Sequence, residues 1–260
     1  QRSDAYELNS PQYTEYEVAL AALADSMVGS GAGPIVSVVV EVMCREVLVG
    51  DGHKKHVLEP LLQSKCRDFA EQSSGPATTA VLDQLAADPD APRLIDLPPE
   101  GGREMYRAMA GMLDLQGVPI GKTEDRTIPG PAGDIPVRIY TPVAGGGTGP
   151  ALVYYHGGGW VIGDLDTHDA LCRTLANEAG CKVIAVDYRL APEHPFPAGL
   201  EDVKAAYRWL IETGVEPSRL GIVADSAGGG LALSALVALR AEGLPMPRAM
   251  ALLGPWTDLT

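Results

Sequence analysis

The sequence predicts an α/β domain built on a mostly parallel sheet with helices on both faces. Three observations carry this. From residue 151 onward, apolar runs of four or five residues alternate with longer helical stretches. Such alternation makes parallel strands joined by crossover helices. Asp225-Ser226-Ala227-Gly228-Gly229 lies between one apolar run and an Ala- and Leu-rich stretch, and His156-Gly157-Gly158-Gly159-Trp160 directly follows another.

In chain order, Ser10 as N-cap and Pro11 at the first helical position start a helix over residues 13–24. Residues 29–34, Gly-Ser-Gly-Ala-Gly-Pro, read as a Gly-rich turn before a further apolar helix or strand ending near Val49. Residues 79–87 and 102–115 predict two amphipathic helices, with Pro-rich stretches between them. Residues 125–128 and 135–140 predict two strands, joined by the turn-forming Pro129-Gly-Pro-Ala-Gly133. A Gly-rich surface loop over 144–150 leads to strand 151–155, helix 168–179, strand 182–186 and helix 198–213. Residues 220–223 form a strand, 225–229 a tight turn and 231–240 a helix, and a last strand begins at Met250. The expected organisation is an extra segment over 1–75, a helical region over 76–120 and the α/β core over 121–260.

Composition narrows the function classes. The 260 residues are 46% hydrophobic and 21% charged, as in a globular protein. A net charge of −14, with no basic cluster to offset it, argues against a nucleic-acid surface. Residues 35–49 carry Glu41, Arg45 and Glu46 and are too short to span a bilayer, so no membrane partner is expected. Cys44, Cys66, Cys172 and Cys181 lack Cys-x-x-Cys spacing, which predicts buried thiols in a reducing, cytoplasmic compartment and no structural metal. His53 and His56 have no third ligand nearby and flank two lysines, so they read as part of a solvated loop or a helix start. The start, Gln1-Arg-Ser-Asp, has no signal-peptide pattern and no methionine, and the native N-terminus is expected to lie elsewhere.

The chemistry concentrates in three motifs. A serine held between a strand and a helix by small neighbours is a nucleophile elbow, which makes Ser226 the candidate nucleophile. Ala224 stands where the usual Gly-x-Ser-x-Gly pattern has its first glycine. Consecutive glycines let backbone N–H groups turn toward one point without a Cβ in the way. Gly158, Gly159 and Ala227 are therefore candidate oxyanion donors, with Gly157 shaping the turn. The third motif is residues 187–198, Asp-Tyr-Arg-Leu-Ala-Pro-Glu-His-Pro-Phe-Pro-Ala.

Taken in this order, the three motifs resemble the hormone-sensitive-lipase family of α/β-hydrolases, the bacterial family IV esterases. The resemblance covers residues 77–260. It implies an α/β-hydrolase fold with a helical cap, and serine carboxylesterase activity on short acyl esters without a cofactor. It also implies that Asp187 and His194 belong to a structural segment, that His156 supports the oxyanion loop and that Trp160 lines the substrate pocket. Asp225 then reads as a structural hydrogen-bonding carboxylate. A fainter likeness to the cofactor loop of protein arginine methyltransferases is confined to residues 13–34, and the first 75 residues leave no room for that family's sheet.

A serine needs an imidazole base, oriented by a carboxylate. In this fold both follow the serine in the chain. The five histidines are His53, His56, His156, His168 and His194, all before Ser226, and the last aspartate is Asp258. The sequence therefore reads as lacking its triad acid and base. It is either a fragment of an active esterase, a chain completed by another copy in an oligomer or strand-exchanged dimer, or an inactive relative that binds a small ligand.

Overall fold

The computed structural model describes residues 94–144 and 149–257. The helices expected over 13–24 and 79–87, the Gly-rich run 29–34, and His53, His56, Cys44, Cys66 and Asp258 lie outside the described residues. So does the extra segment over 1–75.

A 3₁₀ turn at Leu94–Asp96 precedes α1 (Pro99–Leu113). The hairpin β1 (Lys122–Gly130) and β2 (Gly133–Thr141) follows, then β3 (Ala151–Tyr155), α2 (Asp169–Ala179), β4 (Lys182–Val186) and α3 (Ala198–Glu212). After a 3₁₀ turn at Pro217–Arg219 come β5 (Leu220–Asp225), α4 (Ser226–Ala241) and β6 (Ala249–Leu253). The six strands lie in the order β1-β2-β4-β3-β5-β6. β1, β2 and β4 pair antiparallel, and the remaining neighbours pair parallel.

Side chains alternate across this sheet with the two-residue period of a strand. Val153, Tyr155, Ile184, Val186, Ile222 and Ala224 enter one core, together with Val203, Tyr207 and Leu210 of α3 and Leu231, Ala235 and Leu239 of α4. Tyr154, Val183, Ala185 and Val223 enter a second core with Cys172 and Ala176 of α2. Helices thus cover both faces, as the near-continuous apolar strands require. The hairpin strands are longer than the sequence predicts, because β1 is an edge strand whose charged first half stays largely in solvent while still pairing. Cys172 and Cys181 are buried free thiols.

One boundary differs in a way that matters. Residues 225–229 are not one tight turn, since α4 begins at Ser226 itself. Glycine is a poor helix former, so Gly228-Gly229-Gly230 reads locally as loop. Tertiary contact decides otherwise. A Cβ on Gly228 would lie well under 3.0 Å from the carbonyl oxygens of Tyr155 and His156. On Gly229 it would stand 2.7 Å from Pro255 Cβ, and on Gly230 it would strike the Trp256 carbonyl. The three glycines let the first turn of α4 press against the ends of β3 and β6.

Candidate active site

Strand register brings the three motifs together. Tyr155 of β3 pairs with Val186 of β4 on one side and with Ala224 of β5 on the other, and Ala224 pairs with Leu252 of β6. The residues that follow these levels leave the sheet side by side at its carboxyl edge, where open α/β sheets place their sites. They are His156–Trp160, the segment from Asp187, Asp225–Ser226 and Gly254–Trp256.

Ser226 is buried and has φ 49°, a left-handed backbone that a non-glycine residue adopts only when its surroundings impose it. The constraint is visible. Trp256 N–H donates to the Ser226 carbonyl at 3.0 Å, and Gly228 fixes the helix below it. Ala224, at the departure from the usual pattern, is fully buried in the core on the α3/α4 face, so its methyl is accommodated by packing.

The glycine turn lies against this elbow. A Cβ built on Gly157 would stand 3.0 Å from Ser226 Cβ and would collide with the Asp225 carboxylate. Three successive residues then take positive φ: Gly158 at 116°, Gly159 at 60° and Trp160 at 62°. The turn closes through Val161 and Ile162, whose N–H groups both donate to the Gly158 carbonyl at 3.1 and 3.0 Å. Among the described residues, no acceptor takes the N–H of Gly158 or Gly159. Ala227 lies in the first turn of α4, where backbone N–H groups have no intrahelical partner. Gly158, Gly159 and Ala227 thus leave backbone donors without a partner in the segments that flank Ser226, and free N–H groups of this kind can receive a developing negative charge.

The supporting residues divide by role. Asp225 Oδ1 accepts from Tyr154 Oη at 2.5 Å and from Gly157 N–H at 2.9 Å, tying the elbow to the glycine turn. Burial raises its pKa against these donors. His156 Nδ1 sits 2.7 Å from the Gly157 carbonyl, which can only accept, so Nδ1 carries the proton and Nε2 is left without a partner. Its ring stacks on Tyr188 at 4.4 Å and on His168 at 5.4 Å. Burial, reinforced by His168, lowers the His156 pKa to about 4. Burial likewise brings His168 to about 4. Tyr188 Oη donates to the His156 carbonyl at 2.7 Å.

Trp160 Nε1 donates to the Ala227 carbonyl at 3.0 Å, and its indole meets Trp256 edge-on at 5.2 Å. It therefore braces the elbow, and its ring packs partly into the core on the α3/α4 face. Asp187 is half-buried at the end of β4, where burial first and then the charges of Asp164 and Asp166 raise it to about 6. Arg189 donates through its backbone N–H, Nε and Nη2 to Asp202 of α3, which is 1% exposed. This pins the segment that starts at Asp187. His194 lies exposed on the same segment.

No imidazole among the described residues is hydrogen-bonded to Ser226 Oγ. His156 and His168 are spent on stacking, and Asp225 faces Tyr154 and Gly157. Sequence reading missed Tyr154, Tyr188 and Trp256, whose hydroxyls and backbone hold the loops. In the sequence they look like ordinary strand and loop aromatics. Among the described residues, no cluster of three or more His, Cys, Asp or Glu is placed to hold a metal, and no helix is long and apolar enough to cross a membrane.

Residues 152–260 match the family described as alpha/beta hydrolase fold. The carboxylic ester hydrolase LipN of Mycobacterium tuberculosis is 52% identical over 147 residues, which is 52% of this chain and 38% of LipN. The esterase LipI of the same organism is 42% identical over 174 residues, covering 62% of this chain and 54% of LipI. The ethyl acetate hydrolase of Pseudomonas putida is 46% identical over 131 residues, 48% of this chain and 41% of that enzyme. Among solved structures, the ester-hydrolase EH1AB1 from the metagenome of Lake Arreo superposes with a TM-score of 0.66 at 39% identity. That match covers 72% of this chain and 61% of the other. An esterase from the bacterial hormone-sensitive lipase family gives a TM-score of 0.58 at 42% identity, covering 65% of this chain and 54% of the other. The chain spans about two fifths to one half of the length of these curated relatives.

Proposed function

We propose, from the match of residues 152–260 to the family described as alpha/beta hydrolase fold, that the protein is a serine carboxylesterase acting on short-chain acyl esters. One observation carries the proposal. The register of β3 with β5 sets a strained, buried Ser226 against a glycine turn in which the N–H groups of Gly158 and Gly159 are unengaged.

In the reaction, Ser226 Oγ gives its proton to a base and bonds to the ester carbonyl carbon. The carbonyl electron pair moves onto oxygen, where the N–H groups of Gly158, Gly159 and Ala227 receive it. A donor of this kind contributes about 3–4 kcal/mol to the transition state. The carbon–oxygen bond to the alcohol then breaks, the alkoxide takes up the proton, and water hydrolyses the acyl-enzyme in a second, equivalent round. His156 and His168 are stacked and hydrogen-bonded elsewhere and His194 is exposed, so the activating base is a different group. The supporting names among the relatives include an ethyl acetate hydrolase, in keeping with a small acyl group.

Hydrolysis of p-nitrophenyl acetate and of longer p-nitrophenyl esters tests the proposal. Turnover of the acetate that falls with acyl length, and that Ser226→Ala abolishes, supports it. Tight binding of an ester with no release of p-nitrophenol by the folded wild-type protein favours instead a ligand-binding member of the fold.

A further inference from the structure

The oxyanion turn is held from outside by a residue of α1. Arg103 Nε donates to the Val161 carbonyl at 2.8 Å, and Nη2 donates to the Ala191 carbonyl at 3.0 Å. Nη1 and Nη2 also form a two-pronged pair with Glu193 at 3.0 and 2.7 Å. The Arg103 side chain is only 14% exposed, whereas that of Glu193 is 51% exposed.

The two carbonyls are not arbitrary. Val161 follows the three residues with positive φ, and its own N–H closes the turn onto Gly158. Ala191 donates its N–H to the Trp160 carbonyl at 2.8 Å. One guanidinium therefore grips the exit of the strained turn directly and, through Ala191, its last left-handed residue. A left-handed backbone at Trp160 persists only if its surroundings over-determine it. Arg103 takes carbonyls only, so it holds the turn without engaging the N–H groups of Gly158 and Gly159. A planar fork that donates in several directions at once is a property of arginine that an ammonium lacks.

We propose that Arg103 is a positioning residue for the oxyanion turn, and that through it α1 controls the donor geometry at Ser226. The assignment rests on Gly158 and Gly159 being the oxyanion donors. The Glu193 contact orients the guanidinium from its solvent side, where the half-exposed carboxylate is screened by water.

The test compares Arg103→Ala, Arg103→Lys and Glu193→Gln with the wild-type chain by amide hydrogen exchange and ester kinetics. Losing charge-assisted hydrogen bonds from the turn speeds exchange at Val161, Ile162 and Ala191 by about tenfold to a hundredfold in both arginine variants. Glu193→Gln changes it by less than about threefold. In the kinetics, kcat for p-nitrophenyl acetate falls by a similar factor to the exchange effect while KM is held, and lysine does not rescue. Unchanged exchange in Arg103→Ala, or exchange restored by Arg103→Lys, overturns the proposal. So does faster exchange with kcat intact. Should Arg103→Ala fail to fold, the lysine variant decides. A wild-type protein that neither turns over esters nor reacts at Ser226 counts against the esterase assignment, and the exchange data then decide the role of Arg103.

Discussion

Replacing Gly228 with alanine sets two effects against each other in the first turn of α4. Alanine is the better helix former by about 1 kcal/mol, so local propensity predicts stabilisation. The new methyl, however, would lie well under 3.0 Å from two backbone oxygens, those of Tyr155 and His156. Neither oxygen is the end of a flexible side chain. β3 is paired on both sides, and the His156 carbonyl also holds Tyr188 Oη. Overpacking costs about 1–3 kcal/mol, occasionally more, and a clash with two fixed backbone oxygens falls in the upper part of that range, about 2–3 kcal/mol, so sterics win and Gly228→Ala is destabilised by about 1–2 kcal/mol net. Relief requires α4 to move away from the glycine turn, and a displacement of about 1 Å at a reacting group costs about a hundredfold in rate. The matched control is Gly111→Ala in α1, where nothing lies within 4 Å of the added Cβ. That variant gains about 0.5–1 kcal/mol. Urea unfolding gives both stabilities, and p-nitrophenyl acetate hydrolysis gives the rate. A Gly228→Ala protein as stable as Gly111→Ala, with its rate preserved, would refute the close approach of α4 to β3 as the feature that sets Ser226 in place.

Three further outcomes follow from the same contacts. Asp202→Ala leaves the Arg189 donors without their buried acceptor and lowers stability by about 1–3 kcal/mol in urea unfolding, whereas Asp202→Asn costs less. His168 is held near pKa 4 when folded but rises to its ordinary 6.5 when unfolded. The unfolded chain therefore binds the extra proton first, and folding loses about 1.4 kcal/mol per pH unit from this group as pH falls from about 6.5 to about 4. His156 adds a loss of the same sign, and Asp187, raised to about 6, opposes it. The clean readout is the stability difference between wild type and His168→Asn, which shifts in favour of the variant across that window. A pH-independent difference would mean that His168 is not buried neutral. Tyr154→Phe removes the 2.5 Å donor to Asp225 and leaves a buried carboxylate short of one partner. It is expected to cost about 1–3 kcal/mol in stability.

Much of this architecture is readable from local pattern. β3, β4 and β5 are short apolar runs because both faces of each are buried, and their boundaries fall within two residues of those predicted. The elbow and the glycine turn are legible because left-handed backbone and close approach demand small residues at fixed places. Strand order is not legible, since nothing in residues 182–186 says that β4 enters between β2 and β3. The start of α4 was hidden because Gly228–Gly230 oppose helix locally and are required only by packing against Tyr155, His156, Pro255 and Trp256. Tyr154 and Tyr188 read as core aromatics, and their hydroxyls acquire meaning only once register places them beside Asp225 and His156. Arg103 was equally invisible. In the sequence it is one charge among several on an amphipathic helix, and its partners lie 58 to 90 residues away.

The most direct test of the site is covalent. The folded protein is incubated with a fluorophosphonate, which reacts only with a serine activated as a nucleophile, and the adduct is located by peptide mass mapping. A single adduct on Ser226, absent from Ser226→Ala, is the predicted result. An adduct on another residue, or none on Ser226 in a sample shown to be folded, would contradict the assignment of Ser226 as the nucleophile.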